Sequence, residues 1–347
     1  MTSRIAVDLY SDTMTKPTEA MLRFMVGAEL GDEQKGEDPT VNLLQEMVAE
    51  LLGKEAAVYL PSGTMCNEIS FAVLCRPGDE IIMDRTAHPL HFEVGAPAAI
   101  SHAQIRPLDG VRGIYTAAQV EDAIRPKNRH SPRSRVVAVE QITNVGGGAI
   151  WSLEAVTAVC EVAHRHGLSA HLDGARLLNA VVATGTSAAE FAAPFDVAWV
   201  DLTKGLGAPV GAVLAGSREF IEEAWLWKHR LGGAMRQAGI IAAAGVYALR
   251  HHVDRLADDH ANARRLAEGL AEIRGIAIDP ELVQANIMLF DVAGTGLTAA
   301  EFAERMLREH AIRFTVFGPT TIRAVTHLGV SREDIETVLK AVSEAVA

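Results

Sequence analysis

The sequence predicts an α/β protein: a large domain on a mainly parallel sheet over residues 1–235, with an N-terminal arm, and a smaller α+β domain over 236–347. Two observations predict it. Through the first part, short apolar runs alternate with helical patterns about ten or more residues long, which implies crossover connections and parallel strands covered on both faces. From about residue 236 the texture changes to long helical segments with weaker strands between them. No Pro/Gly/Ser-rich linker marks the boundary, so it rests on that change of pattern.

The elements follow in order. In "EDPTVNLLQEMVAELLG" (37–53) Asp38 caps a helix, Pro39 suits its first turn and Gly53 stops it. Leu43, Leu44, Met47, Val48, Leu51 and Leu52 form its apolar stripe. "AAVYL" (56–60) reads as a strand, followed by a helix from about Gly63 to Leu74. "DEIIMD" (79–84) is the next strand, with a helix near residues 88–95, and "SRVVAVE" (134–140) precedes a helix opened by Ser152. "SAHLD" (169–173) and "DVAWVDL" (196–202) are strands joined by a helical linker. In the small domain, Thr298 with Glu301 and Ser331 with Asp334 read as capping boxes ahead of two amphipathic helices. Between them "AIRFTVFG" (311–318) and "TTIRAVTH" (320–327) read as strands.

Composition narrows the function. The 347 residues are 49% hydrophobic and 22% charged, an ordinary globular balance. No run approaches the ~18 apolar residues of a membrane span, and "MTSRIAVDLYSD" lacks the pattern of a signal peptide. Cys66, Cys75 and Cys160 are an odd number in a long chain, which argues against a disulfide framework and for a reducing cytoplasm. A net charge of −12 speaks against a nucleic-acid backbone as partner and favours a small molecule.

In open parallel sheets ligands sit beyond the carboxyl ends of the strands, and three segments there carry chemistry. In "LPSGTMCN" (60–67), Ser62, Gly63 and Thr64 open a helix whose free N–H groups suit a phosphate, or merely a cap. In "SAHLDGARLLNA", Asp173 ends a strand and precedes Arg176; its carboxylate suits a metal, a ribose, a ring nitrogen or the cap of the next helix. In "DLTKGLGAPVGAVLAG" (201–216), Lys204 stands where a buried strand gives way to glycines. A phosphate-loop lysine would follow its glycines rather than precede them. A snorkelling lysine fits, and a Schiff-base lysine fits better, because desolvation favours the neutral amine. Phosphate cup, carboxylate and lysine together are the parts of a pyridoxal 5′-phosphate site. The histidine pairs 88/91, 164/166 and 251/252 match no H-E-x-x-H pattern, so no metal is assigned, and "NVGGGAI" (144–150) is not a dinucleotide fingerprint.

Nearly end to end, the chain resembles the L-threonine aldolases of the β-eliminating lyase group, which have the aspartate aminotransferase-like (type I) fold. The matching segments are "DLYSDTMTKPTEAM", "GEDPTVNLLQ", "GKEAAVYLPSGTMCN", "AHPLHFE", "HLDGARLLNAVVA", "TKGLGAPVG", "GGAMRQAGIIAAAGVYAL" and "RAVTHLGVS". The resemblance implies pyridoxal 5′-phosphate held as a Schiff base on Lys204, its ring nitrogen on Asp173 and its phosphate in the cup of Ser62, Gly63 and Thr64. It implies that His88 lies against the ring, as candidate base. Ser11, Arg176 and Arg323 would hold the substrate carboxylate, with Arg176 also beside the cofactor. Arg236 would reach the cofactor phosphate of a neighbouring subunit in a homotetramer. The implied reaction cleaves L-threonine, L-allo-threonine and related β-hydroxy-α-amino acids to glycine and an aldehyde. A phenylserine aldolase, a β-eliminating lyase or a racemase is the alternative on the same scaffold. The chain departs from the family pattern at three places. Thr143, in "EQITNVGGG", stands where many relatives carry a histidine that meets the substrate hydroxyl. Lys35 replaces a tyrosine, and His229 replaces a lysine.

Overall fold

In the computed structural model of the chain, which describes residues 5–346, the first element is a two-residue strand, β1 (Val7–Asp8). Seven further strands build one large sheet: β2 (Ala56–Leu60), β3 (Glu80–Asp84), β4 (Gln104–Leu108), β5 (Ser134–Glu140), β6 (Ser169–Gly174), β7 (Val197–Asp201) and β8 (Ala212–Gly216). Their spatial order is β2-β8-β7-β6-β5-β3-β4. Only β8 runs against its neighbours, pairing antiparallel with both β2 and β7. Both central faces are apolar, as a sheet covered on two sides requires: β7 and β8 are buried at every position.

Helices cover those faces. They are α1 (Glu19–Val26), α2 (Pro39–Leu52), α3 (Gly63–Leu74), α4 (His88–His91), α5 (Ala96–Ala99) and α6 (Ala117–Ala123). Next come α7 (Leu153–Arg165), α8 (Leu177–Thr184), α9 (Ala188–Ala192), α10 (Arg218–Arg230) and α11 (Gly239–His251). The caps read from sequence are in place: Asp38 accepts from Thr40 and Val41 N–H at the start of α2, and Gly53 ends it at φ +61°. The buried face of α2 is Val41, Leu44, Val48 and Leu52, while Leu43 stays exposed on its flank. The single helix expected near 88–95 is instead two short ones, α4 and α5. Val94 and Gly95 between them are left-handed, at φ 54° and 71°, which no helix continues.

The smaller unit comprises α12 (Leu256–Ala271), β9 (Ile287–Asp291), α13 (Ala299–His310), β10 (Ile312–Arg313), β11 (Thr315–Val316), β12 (Thr321–Val325) and α14 (Arg332–Val346). Strands β11, β12 and β9 make an antiparallel sheet, and its core includes Phe290, Phe302 and Phe314. The boundary expected at residue 236 falls ahead of α11, whose Ala242, Ala244, Val246 and Ala248 pack in the large cluster. Helix α12 bridges the two, with Leu256 in the large cluster and Ala263, Leu266 and Leu270 in the small one. Strand β1 also crosses over: it pairs parallel with β10, and Leu9 packs in the small cluster.

Candidate active site

The parallel strands of the large sheet end on one edge, and a cavity of about 400 Å³ opens there. That is room for a small ligand. Ser62, Gly63, Thr64, His88, Asp173, Arg176 and Lys204 all line it, so seven residues far apart in sequence meet as expected. Strand ends explain the convergence, since β2, β3, β6 and β7 each deliver a segment to this edge.

At one wall, Ser62 caps α3 by accepting from Met65 N–H at 3.2 Å. The first-turn N–H groups of this twelve-residue helix, beside the hydroxyls of Ser62 and Thr64, suit an anion. Gly63 is demanded by packing, because a Cβ there would lie 2.4 Å from the Trp199 ring. On the floor, Asp173 is buried; its Oδ2 accepts from Asn67 Nδ2 at 3.0 Å and its Oδ1 from Ala175 N–H at 3.0 Å. Burial raises its pKa above the ordinary carboxylate range, against the opposing influence of His88, Asn67 and Lys204. Lys204 follows β7, and its Nζ lies 3.1 Å from Asp201 Oδ2 and 5.9 Å from the Trp199 ring centre. Thr15 Oγ1 donates to the Lys204 carbonyl at 2.9 Å, tying the lysine loop to the N-terminal segment.

The arginines differ from expectation. Arg176 is clamped by an internal carboxylate: its Nε and Nη2 each lie 2.7 Å from Asp12, and both side chains are buried. Only the remaining edge of the guanidinium is left for the cavity. Arg323 lies outside the cavity wall, donating to Asn144 Oδ1 at 2.6 Å and to the Tyr10 carbonyl at 3.2 Å. Its Nε is buried without a partner. Burial and the neighbouring charge of Arg176 bring it down to about 10. Ser11 is buried and accepts from Thr13 N–H at 3.2 Å, which shapes the turn that carries Asp12.

Like Arg323 and Ser11, two further expected residues lie outside the cavity lining. Arg236 pairs with Asp32 at 2.8 Å on the surface, its side chain 61% exposed and away from this cavity. Thr143 does not line the cavity: it is buried, and its hydroxyl accepts from Ala149 N–H at 3.1 Å inside its own loop. A Cβ on Gly113 would touch it at 2.8 Å, so the loop packs tightly around a small residue.

Sequence reading missed Asn67, Glu93, Glu140, Trp199 and Asp201. Glu140, at the end of β5, lines the cavity, and burial together with the charge of Asp173 pushes it up to about 8. Its position as the last residue of an apolar strand was the available signal, the same one that pointed to Asp173. Asn67 sits mid-helix and Glu93 between two short helices, where nothing local distinguishes either. Among the described residues no cluster of His, Cys, Asp and Glu is arranged to hold a metal ion.

Comparison with known proteins gives the lineage. Residues 8–293 match the family described as beta-eliminating lyase. The low specificity L-threonine aldolase of Escherichia coli (strain K12) is 40% identical over 333 residues, 96% of this chain and 97% of that protein. The low-specificity L-threonine aldolase 1 of Arabidopsis thaliana is 37% identical over 345 residues, 98% of this chain and 96% of that one. Among solved structures, the threonine aldolase of Leishmania major superposes with a TM-score of 0.83 at 20% identity, covering 98% of this chain and all of that one (100%). The aspartate aminotransferase of Rhizobium meliloti does so at 0.70 and 17% identity, covering 98% and 91%. Likeness at such identities speaks to the fold alone. On the long sequence matches, and with the fold those structures share, the chain belongs to the β-eliminating lyase family.

Proposed function

We propose that this enzyme is a pyridoxal 5′-phosphate-dependent aldolase that cleaves L-threonine, L-allo-threonine and related β-hydroxy-α-amino acids to glycine and an aldehyde. The observation that carries the reading is the meeting of Lys204, Asp173 and the Ser62–Thr64 helix start around one cavity. Each matches one part of the cofactor: an amine for its aldehyde carbon, a carboxylate for its ring nitrogen, and N–H and hydroxyl donors for its phosphate. When bound, that group offers an electron sink to the bond broken at Cα.

The chain's own residues do the rest. Asp173, fixed by Asn67 and Ala175 N–H, holds its carboxylate against the ring position. Arg176, itself held by Asp12, keeps a fixed positive edge on the cavity to receive the substrate carboxylate. Arg323 adds charge behind it, and Ser11 sets the turn between them. Fixing that carboxylate decides which Cα bond is aligned for cleavage. His88 lines the same cavity and takes the proton of the β-hydroxyl. Because Thr143 is buried outside the cavity lining, no group at that position meets the substrate, and both Cβ configurations are accepted.

The test is release of glycine and aldehyde from L-threonine, L-allo-threonine and the two phenylserine diastereomers, with Lys204→Ala as control. The expected result is cleavage of both threonine diastereomers with kcat/KM within about tenfold of each other, and loss of the lysine-linked absorbance and of all release in the control. Lysine-linked cofactor without release from any substrate would turn the reading to β-elimination or racemisation. Three buried free cysteines fit a reducing cytoplasm as the place of work. No helix among the described residues is long and apolar enough to cross a membrane. A homotetramer is the proposed assembly, in which the exposed Arg236 faces a neighbouring subunit's site.

A further inference from the structure

The cavity histidine stands at the end of a buried hydrogen-bond chain whose direction is fixed by what its members are able to donate. Trp199 Nε1 lies 2.8 Å from Asn67 Oδ1, and an indole nitrogen only donates. The amide oxygen of Asn67 therefore faces Trp199, where it also meets His171 Nε2 at 2.9 Å. Its NH₂ group faces the other way, toward Asp173 Oδ2 at 3.0 Å and Glu93 Oε1 at 2.8 Å. Glu93 Oε1 is thus an acceptor. His88 Nδ1 lies 2.8 Å from that same oxygen, so this ring nitrogen carries the hydrogen.

Glu93 also has a neighbour on its far side. Glu93 Oε2 and both oxygens of Glu68 are buried and have no hydrogen-bond partner. Burial, and then the neighbouring Glu93 carboxyl, push Glu68 up to about 9. Glu68 therefore keeps its proton at neutral pH.

We propose that Asn67 and Glu93 are positioning residues for His88, holding it with its hydrogen on Nδ1 so that the Nε2 lone pair faces the substrate's β-hydroxyl. This rests on the aldolase reading above. The other tautomer would present a donor where an acceptor is needed. Asn67 holds Asp173 by the same NH₂ group, so the base and the carboxylate of the cavity floor are set by one amide.

The experiment is nitrogen NMR of the holoenzyme labelled with ¹⁵N-histidine, His88 being assigned by its loss in His88→Asn. The expected wild-type signal is a proton coupled to Nδ1 of His88, shifted downfield by the carboxylate. In Glu93→Leu that signal is lost and kcat falls by about 10²-fold with KM little changed. Glu93→Gln restores both the signal and most of kcat, because turning its amide around would set NH₂ against the Asn67 NH₂. A wild-type proton on Nε2, or Glu93→Leu with signal and kcat intact, overturns the proposal. Should the wild type bind cofactor and cleave none of the substrates, the aldolase reading fails while the spectrum still decides the tautomer. If Glu93→Leu does not fold, the wild-type and Glu93→Gln spectra decide it.

Discussion

Asp12 and Arg176 are joined by two parallel hydrogen bonds, out of water. Burial alone would raise the Asp12 carboxyl, but the charge and hydrogen bonds of Arg176 outweigh it and hold the group well below the ordinary carboxylate range. A carboxyl depressed in the folded state stabilises above its unfolded pKa, near 3.8, and that stability is lost as pH falls below it. Asp12→Asn is expected to lose about 3 kcal/mol at pH 7, because a buried guanidinium is left uncompensated. Its stability should also fall less than the wild type's between pH 5 and pH 3. Urea melts across that range check both; parallel curves for the two proteins would mean that the pair does not titrate with folding. Much at this scale was legible. Asp173 lies at the end of an apolar strand, and Lys204, His88 and Ser62 each follow one by a few residues, so strand ends point to them. Asp12 and Asn67 were not, because a polar residue in a turn or a helix reads as solvated until its partner, 164 or 106 residues away, is known.

Among the elements, α3 is tightly constrained at its start. Its first residue lies under the Trp199 indole, and that ring is pinned by its bond to Asn67. Gly63→Ala would force the helix start and the ring apart, an overpacking cost of roughly 1–3 kcal/mol. Cofactor affinity should drop by about tenfold or more, read by absorbance titration; unchanged affinity would show that the ring yields. The bounds of α3, Gly63–Leu74, were readable because a serine cap and a glycine precede the apolar run. The direction of β8 was not, since an apolar run has the same composition whichever way it is laid. Likewise the break between α4 and α5 depends on Val94 adopting a left-handed backbone, which a valine gives no reason to expect.

For the whole molecule, α1 leaves apolar side chains uncovered. Leu22, Phe24 and Val26 are exposed, Val26 to 82%, with Leu30 and Ile240 also exposed. Such residues are what subunit contacts cover, in keeping with the proposed homotetramer. Val26→Glu with Phe24→Glu is expected to shift light scattering to a smaller species and to lower activity, if Arg236 acts on a neighbour's site. A monomeric wild type would remove the basis for that role. At this scale the crossing of β1 into the small unit was not legible: a two-residue strand has no period.

That crossing has a consequence for the order in which a ribosome delivers the chain. β1 emerges early, yet its partner β10, with Ile312 and Arg313, is among the last segments made. The stretch just after β1 provides Tyr10 to Arg323, Asp12 to Arg176 and Thr15 to the Lys204 loop. Until β10 arrives, the arm has no sheet to join, and closing so long a loop is slow. Lys204 therefore gains its finished surroundings near the end of translation, and a nascent chain halted before residue 312 holds the arm with no β10 to pair it.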